Sequence, residues 1–190
     1  MKDLKKLFLN ELKYMYDGEN QLVEALPKMV KNAECRELKD TFNEHLVQTR
    51  THVIRLEQVF RAMGQEPERK SCKGLEGIID EGESFVREFE ENSALNAGLI
   101  TAGQKAEHYE ITSYGSLCTW AKQIIATEEV INLLEANLGD EKETDDKLTQ
   151  LAQEICNIEA SLHDSARRGR GSSLLSKTLG SDRQATSHVD

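Results

Sequence analysis

Residues 8–29 have the sequence FLNELKYMYDGENQLVEALPKM, in which apolar side chains recur at the spacing of an α-helix. The apolar stripe consists of Phe8, Leu12, Met15, Leu22, Leu26 and Met29. Glu19 falls on this stripe between Met15 and Leu22, where a carboxylate would face the core. Because an unpaired buried charge costs several kcal/mol, this stretch predicts a helix that carries part of a buried polar site.

Three further helical stretches are interrupted in the same way. In the second, His45 and His52 lie within an apolar stripe formed by Leu38, Phe42, Thr49, Leu56 and Val59. In the third, Glu107 and Glu110 lie between Gly103 and Tyr114, and in the fourth, Glu141 and Asp145 lie between Leu138 and Leu148. Four helices with charged groups at mid-length predict one shared polar site, and such a site in a helical bundle usually holds metal.

Composition limits the class of protein. The 190 residues suit one domain, and two prolines with 12 glycines favour an all-helical chain. A net charge of −10 argues against a nucleic-acid partner for residues 1–160, because a phosphate backbone would be repelled. The sequence has no apolar run long enough to span a membrane and no apolar signal segment, so we expect a cytoplasmic protein without a membrane partner. The four cysteines form no Cys-x-x-Cys pair, which argues against a zinc or iron–sulfur site built from thiolates.

The periodic stretches predict an order of hairpin, crossover, hairpin. We expect long helices over residues 3–33, with Pro27 as a kink, and over 37–63, 93–122 and 127–160, with Ser93 and Thr127 as N-caps of the last two. Residues 65–92 contain a shorter amphipathic segment and are long enough to cross the bundle. This order predicts an all-α, ferritin-like antiparallel four-helix bundle with one long crossover that carries a short extra helix.

The last 30 residues differ in composition from the rest. Residues 161–190 are rich in Ser, Gly and Arg and lack a long apolar period. Such a segment cannot bury enough apolar surface to offset its ordering entropy. We therefore predict a bundle domain over residues 1–160 and a disordered tail over 161–190.

The polar positions resemble the ligand set of a dinuclear iron or manganese centre. Such bundles use one Glu from each of two helices and a Glu-x-x-His from each of the other two, because two close dications need several carboxylates. Here the first and third helices supply Glu19, Glu107 and Glu110, and the fourth supplies Glu141. The second helix supplies His45-x-x-Gln48, in which an amide stands where a carboxylate is expected.

Two further residues have less defined roles. His52 is expected to pair with Glu19 or Asp145 as an orienting group. Asp145 lies one turn past Glu141, where it is either a ligand or a solvated carboxylate. The alternative to a metal site is a buried hydrogen-bond network that only fixes the register of the helices.

Several separated motifs resemble the YciF-like family of bacterial ferritin-like proteins. The resemblance covers residues 3–155 and includes Tyr16-Asp17-Gly18-Glu19-Asn20-Gln21-Leu22, His45-Leu46-Val47-Gln48-Thr49, Ala106-Glu107-His108-Tyr109-Glu110-Ile111 and Glu141-Lys142-Glu143-Thr144-Asp145. It implies a dimeric bundle associated with bacterial stress responses and a rubrerythrin-like dinuclear metal site. The implied ligands are Glu19, His45, Glu107, Glu110 and Glu141. The family more often has Glu where this chain has Gln48, which removes one negative charge from the implied set.

Two functions are consistent with this pattern. One is a cytoplasmic stress protein whose iron or manganese centre acts on oxygen, peroxide or ferrous iron. The other is a non-enzymatic dimeric scaffold whose buried polar core is structural. The two functions differ in one measurable property, because only the first requires bound metal.

Overall fold

The computed structural model describes residues 4–90 and 94–162, and all of its regular elements are helical. The helices are α1 Leu4–Asn32, α2 Arg36–Ala62, α3 Lys73–Glu88, α4 Leu95–Gln123 and α5 Glu128–Leu151. A π-helical turn, Ala152–Cys156, follows α5, and helical residues continue to 162. The predicted tail lies outside the described residues from 163 onward.

The long helices form the predicted antiparallel four-helix bundle. Helices α1 and α2 pack as one hairpin, α4 and α5 pack as the other, and α1 contacts α4 while α2 contacts α5. Pro27 lies inside α1 without ending it. Thr127 caps α5 by accepting a hydrogen bond from Val130 N, as predicted. Ser93, the other predicted N-cap, lies outside the described residues, and α4 begins after Ala94.

The crossover is attached to α1 through Asp17. The backbone N of Cys72 donates to Asp17 Oδ2 over 2.8 Å, and Arg69 Nε donates to Asp17 Oδ1 over 2.8 Å. Burial favours the neutral form of Asp17, but these hydrogen bonds outweigh it and hold the pKa of the carboxyl below its ordinary value. Gly18 allows α3 to approach closely, because a Cβ there would overlap the side chain of Leu75. The crossover therefore covers α1 at the level of Glu19.

Two apolar clusters divide the core along the bundle axis. One contains side chains from the C-terminal half of α1, the N-terminal halves of α2 and α4 and the end of α5. The other contains side chains from the opposite halves of the same helices. In each long helix the interrupting polar residues fall between these two clusters. Within residues 4–90 and 94–162, no helix has the length and apolar character needed to cross a membrane.

Candidate metal centre

The buried polar residues of the four long helices meet in one carboxylate–histidine cluster between the two apolar clusters. Its six members are each at most 2% exposed. They are Glu19 from α1, His45 and His52 from α2, Glu107 and Glu110 from α4, and Glu141 from α5.

Four of these residues form the first position. One ligand atom from each of His45, Glu107, Glu110 and Glu141 lies within 4.8 Å of every other. The Nε2 atom of His45 lies 3.2 Å from Glu107 Oε1 and 3.8 Å from Glu141 Oε2. This position therefore combines one imidazole with three carboxylates from two other helices.

Three residues form the second position. One ligand atom from each of Glu19, His52 and Glu141 again lies within 4.8 Å of the others. The Nδ1 atom of His52 lies 3.0 Å from Glu141 Oε1 and 3.4 Å from Glu19 Oε1. Glu141 belongs to both positions, as a bridging carboxylate would.

The cluster satisfies few of its own hydrogen-bonding atoms. Seven side-chain nitrogen or oxygen atoms in the described part of the chain are buried without a hydrogen-bond partner, and all seven belong to this cluster. They are Glu19 Oε2, His52 Nδ1, Glu107 Oε2 and both carboxylate oxygens of Glu110 and Glu141. The close approach of His52 Nδ1 to Glu141 thus lacks the alignment of a hydrogen bond. Orphaned buried polar atoms are costly, and carboxylate oxygens and imidazole nitrogens are the kinds of atom that coordinate metal ions in proteins.

Burial dominates the electrostatics of the carboxylates. Burial, and then the charge of Glu141, raise the pKa of Glu107 and Glu110 well above the ordinary value. The pKa of Glu19 is also raised by burial, although the neighbouring His52 opposes the shift. Without a cation, these carboxylates therefore keep their protons to a higher pH than exposed carboxylates do.

His52 shows the opposite balance. Burial lowers its pKa, but the charge of Glu19 and the contacts with Glu141 and Glu19 outweigh burial and raise it to about 11. One imidazolium therefore offsets part of the negative charge when no metal is bound.

The ligand inventory equals that of a dinuclear carboxylate bundle but is distributed differently. The expected pattern contains four Glu and two His, with a Glu-x-x-His on each of two helices. Here α2 supplies both imidazoles, α4 supplies two carboxylates three residues apart, and α5 has Thr144 three residues after Glu141. Four carboxylates would neutralise two dications, so the fit does not depend on Gln48.

Gln48 and Thr144 lie on the outer side of His45. The Nδ1 atom of His45 lies 3.1 Å from Thr144 Oγ1 and 3.4 Å from Gln48 Oε1, while its Nε2 faces the carboxylates. Thr144 Oγ1 also lies 3.1 Å from the backbone oxygen of Asp140, to which it can donate. The structure thus places Gln48 beside the outer nitrogen of His45 and not among the carboxylates.

The outer side of His52 faces a charged pair that the sequence analysis missed. His52 Nε2 lies 3.1 Å from Asp140 Oδ2, and Arg55 Nη1 donates to the same oxygen over 2.6 Å. Arg55 and His52 together outweigh burial and hold the pKa of Asp140 below its ordinary value. The outer partner of His52 is therefore Asp140. Of the two expected partners, Glu19 lies 3.4 Å from the inner nitrogen, Nδ1, whereas Asp145 contacts His108 and Gln104 instead.

A chain of hydrogen bonds also connects Arg55 with Glu19. Arg55 Nη1 also donates to Asn137 Oδ1 over 3.0 Å, and Asn137 Nδ2 donates to the hydroxyl of Tyr114 over 2.9 Å. The Tyr114 hydroxyl in turn donates to Glu19 Oε1. Burial and the charge of Glu19 raise the pKa of Tyr114 well above the ordinary value, so the hydroxyl stays protonated as a donor.

Asp145 lies outside the cluster. Its Oδ1 accepts a hydrogen bond from Gln104 Nε2 over 3.2 Å, and its Oδ2 lies 3.3 Å from Nε2 of the exposed His108. Because Asp145 follows Glu141 by more than a full turn, its carboxylate is displaced along the helix toward α4 side chains. Asp145 therefore lies apart from the grouped ligand atoms, and its side chain, 18% exposed, is held by α4 and not freely solvated.

An apolar cavity of about 350 Å³ lies elsewhere, between α1, α3 and α4. Its walls include Leu22, Ile78, Leu99 and Ala106, with Lys28 and Glu83 among its polar lining residues. Lys28 and Glu83 form an ion pair of 2.8 Å with each other. Glu83 is the one carboxylate among the described lining residues and is paired with Lys28, so the carboxylate–histidine cluster is the candidate functional site.

The sequence matches a family across most of its length. Residues 3–161 match a family described as a domain of unknown function, DUF892. Protein YciF of Escherichia coli K12 is 37% identical over 161 residues, which are 84% of this chain and 96% of that protein.

Solved structures support the same relationship. The crystal structure of the E. coli stress protein YciF has a TM-score of 0.76 at 37% identity, over 80% of this chain and 96% of that chain. YcfI of Rhodopseudomonas palustris, provisionally described as a structural protein, has a TM-score of 0.75 at 34% identity, over 77% and 93%. The match covers the bundle that holds the cluster.

Proposed function

Because the chain belongs to the YciF-like family, we propose that it is a bacterial stress-associated ferritin-like protein whose cluster binds two iron or manganese ions. The proposed substrates are oxygen, peroxide or ferrous iron. The E. coli relative is itself named a stress protein. Turnover of a substrate and storage or transfer of metal both require bound metal, so metal binding is the first step to test.

One observation carries the proposal: the buried atoms without hydrogen-bond partners in the described residues all lie in the cluster and are all potential ligand atoms. A structural polar network would pair its donors with its acceptors, because unpaired groups in a dry core destabilise the fold. Both oxygens of Glu110 and Glu141 lack partners. This arrangement favours cations over a self-contained hydrogen-bond network.

The residues divide the work of binding. His45, Glu107 and Glu110 would hold one ion, Glu19 and His52 would hold the other, and Glu141 would contact both. Bound iron or manganese supplies redox chemistry that carboxylates and imidazoles lack. The apolar clusters above and below exclude water from the ligands, which strengthens each electrostatic contact.

The protein's own groups set the state of the ligands. The Tyr114 hydroxyl donates to Glu19 and so favours its ionised form. Asp140 accepts from His52 Nε2, so Nδ1, which faces the carboxylates, is the nitrogen that would release its proton and bind the ion. Both contacts prepare ligands for a cation before it binds.

The alternative is a scaffold in which the cluster is only structural. The provisional description of the R. palustris relative favours this reading for that protein. For this chain a scaffold would have to hold the carboxylates of Glu107 and Glu110 protonated, in line with their raised pKa values. The two functions therefore predict different metal contents.

Metal analysis distinguishes them. We expect the full chain, expressed with added iron or manganese and freshly purified, to contain about two metal equivalents by plasma mass spectrometry. Fewer than about 0.2 equivalents of iron plus manganese would favour the scaffold. An Asp145→Asn variant is a matched control, because that carboxylate lies outside the cluster and its loss should leave the metal content unchanged.

We also propose a cytoplasmic homodimer. Val47 and Ile54 of α2 are 62% and 55% exposed and lie two turns apart on one face, where a second copy would cover them. A monomer mass by light scattering at micromolar concentration would contradict the dimer. Val47→Glu with Ile54→Glu should give that monomer if this face is the interface.

A further inference from the structure

We infer that Arg55 and Asp140 position the ligands of the second position and thereby set its metal affinity separately from that of the first. The inference rests on the proposed function, since it concerns the same two ions. It assigns a role to two side chains that do not themselves face the carboxylates.

The first step concerns His52. An imidazole can ligate through Nδ1 only if Nε2 carries the proton, and the acceptor beside Nε2 selects that tautomer. Asp140 Oδ2 lies 3.1 Å from Nε2, and Arg55 Nη1 holds the same oxygen at 2.6 Å. Asp140 is thus fixed from one side by Arg55 and presents its oxygen to His52 from the other.

The second step concerns Glu19. The same Nη1 atom of Arg55 donates to Asn137 Oδ1 over 3.0 Å, and Asn137 continues through the Tyr114 hydroxyl to Glu19 Oε1. Two hydrogen-bond paths therefore start at Arg55. One leads through Asp140 to His52, and the other leads through Asn137 and Tyr114 to Glu19. The 3.4 Å contact between Glu19 Oε1 and His52 Nδ1 joins the two paths into a closed ring.

The third step is the contrast with the first position. His45 Nδ1 meets Thr144 Oγ1 and Gln48 Oε1, which are neutral. Within residues 4–90 and 94–162, the hydrogen bonds and ion pairs of the Arg55 and Asp140 side chains do not extend to His45, Glu107 or Glu110. The two positions thus have separate outer supports, one charged and one neutral.

Exposure makes the pair suitable for substitution. The side chains of Arg55 and Asp140 are 25% and 27% exposed, whereas Asn137 and Tyr114 are fully buried. Changes at the first two residues can therefore relax into solvent, so their effect on metal binding can be measured without a new buried cavity.

The test is a titration of the full chain with Mn²⁺ after its metal has been removed with a chelator. Calorimetry gives the affinities, and electron paramagnetic resonance reports whether the bound ions are coupled. We expect the parent protein to bind two ions. In Asp140→Ala, one ion should bind as before and the affinity for the other should fall by about 10- to 100-fold, the usual effect of losing an orienting partner. The resonance spectrum should change from that of a coupled pair to that of a single ion at matched loading.

Conservative and reciprocal variants sharpen the result. Arg55→Lys retains the positive charge but loses the planar guanidinium, whose donors have a fixed geometry. It should therefore lower the metal affinity of the second position less than Arg55→Met does. Gln48→Glu gives His45 a carboxylate partner of the kind that Asp140 gives His52, and it should tighten the first position only. Asp145→Ala removes a carboxylate from the same helix outside the ring and should change neither affinity.

The outcomes separate this inference from the proposed function. A parent protein that binds no Mn²⁺ or iron overturns both. A parent that binds two ions, with two unchanged affinities in Asp140→Ala and Arg55→Met, overturns the inference alone. Equal losses at both positions also overturn it, because they would indicate general destabilisation. If circular dichroism shows that Asp140→Ala does not fold, the comparison of Arg55→Lys with Arg55→Met decides whether the pair sets the metal affinity of the second position.

Discussion

Glu141→Gln should abolish metal binding at both positions, from about two equivalents to fewer than about 0.2. Glu141 is the residue that the two ligand groups share. The substitution keeps the shape of the side chain but replaces a charged ligand by a neutral amide, which binds iron or manganese weakly. It also removes the carboxylate that would offset the repulsion between two adjacent dications.

The comparison with Glu19→Gln tests the sharing itself. Glu19 belongs only to the second position, so its loss should leave one equivalent. Two retained equivalents in Glu141→Gln would rule out a bridging role. One retained equivalent would show that Glu141 serves a single ion.

The metal-free protein should lose stability as the pH rises from about 5 to 9, and the metal-loaded protein should not. The raised pKa values of Glu19, Glu107 and Glu110 mean that the folded state holds protons that the unfolded state releases above its ordinary carboxyl pKa. Folding is therefore favoured at low pH and weakened as pH rises through the folded values. His52 acts in the same direction, since its stabilisation is complete below the ordinary value of 6.5 and is lost toward about 11.

The magnitude follows from linkage. One extra proton held by the folded state across two pH units corresponds to about 2.7 kcal/mol, or a fall of roughly 5–10 °C in melting temperature for a chain of this size. Metal ligation requires deprotonated carboxylates and releases protons, so metal affinity increases with pH. Melts with chelator and with Mn²⁺ at pH 5.5, 7 and 8.5 should therefore diverge. A chelated protein whose melting temperature is flat or rises over this range would contradict the raised pKa values, and Glu110→Gln should reduce the slope.

The fold was predictable because each long helix carries a sustained apolar stripe. Phe8, Leu12 and Met15 of α1, and Leu38 and Phe42 of α2, are buried where the 3.6-residue period placed them. The interruptions were equally visible, since carboxylates and imidazoles fall where the two apolar clusters separate. Helix faces are local properties, and a single sequence contains them.

The outer contacts were not predictable in the same way. His52 follows His45 by seven residues, so both imidazoles return to one face of α2 and both enter the cluster. Asp140, in contrast, precedes Glu141 by one residue and lies about 100° around α5. Only the packing of α5 against α2 brings Asp140 to His52 and Arg55. Spacing within one helix could not show this pairing, and the expected partners of His52 were Glu19, which it does contact, and Asp145, which it does not.

The division of ligands between the two hairpins has a consequence for biosynthesis. The first hairpin carries Glu19, His45 and His52, and the second carries Glu107, Glu110 and Glu141. Each position draws on both hairpins, so a growing chain that has emerged only as far as α3 has neither site complete. At about 5–20 residues per second, the ribosome needs on the order of ten seconds to pass from His52 to Glu141. Under the proposed function, metal capture at a complete site would therefore wait until nearly the whole bundle has been translated.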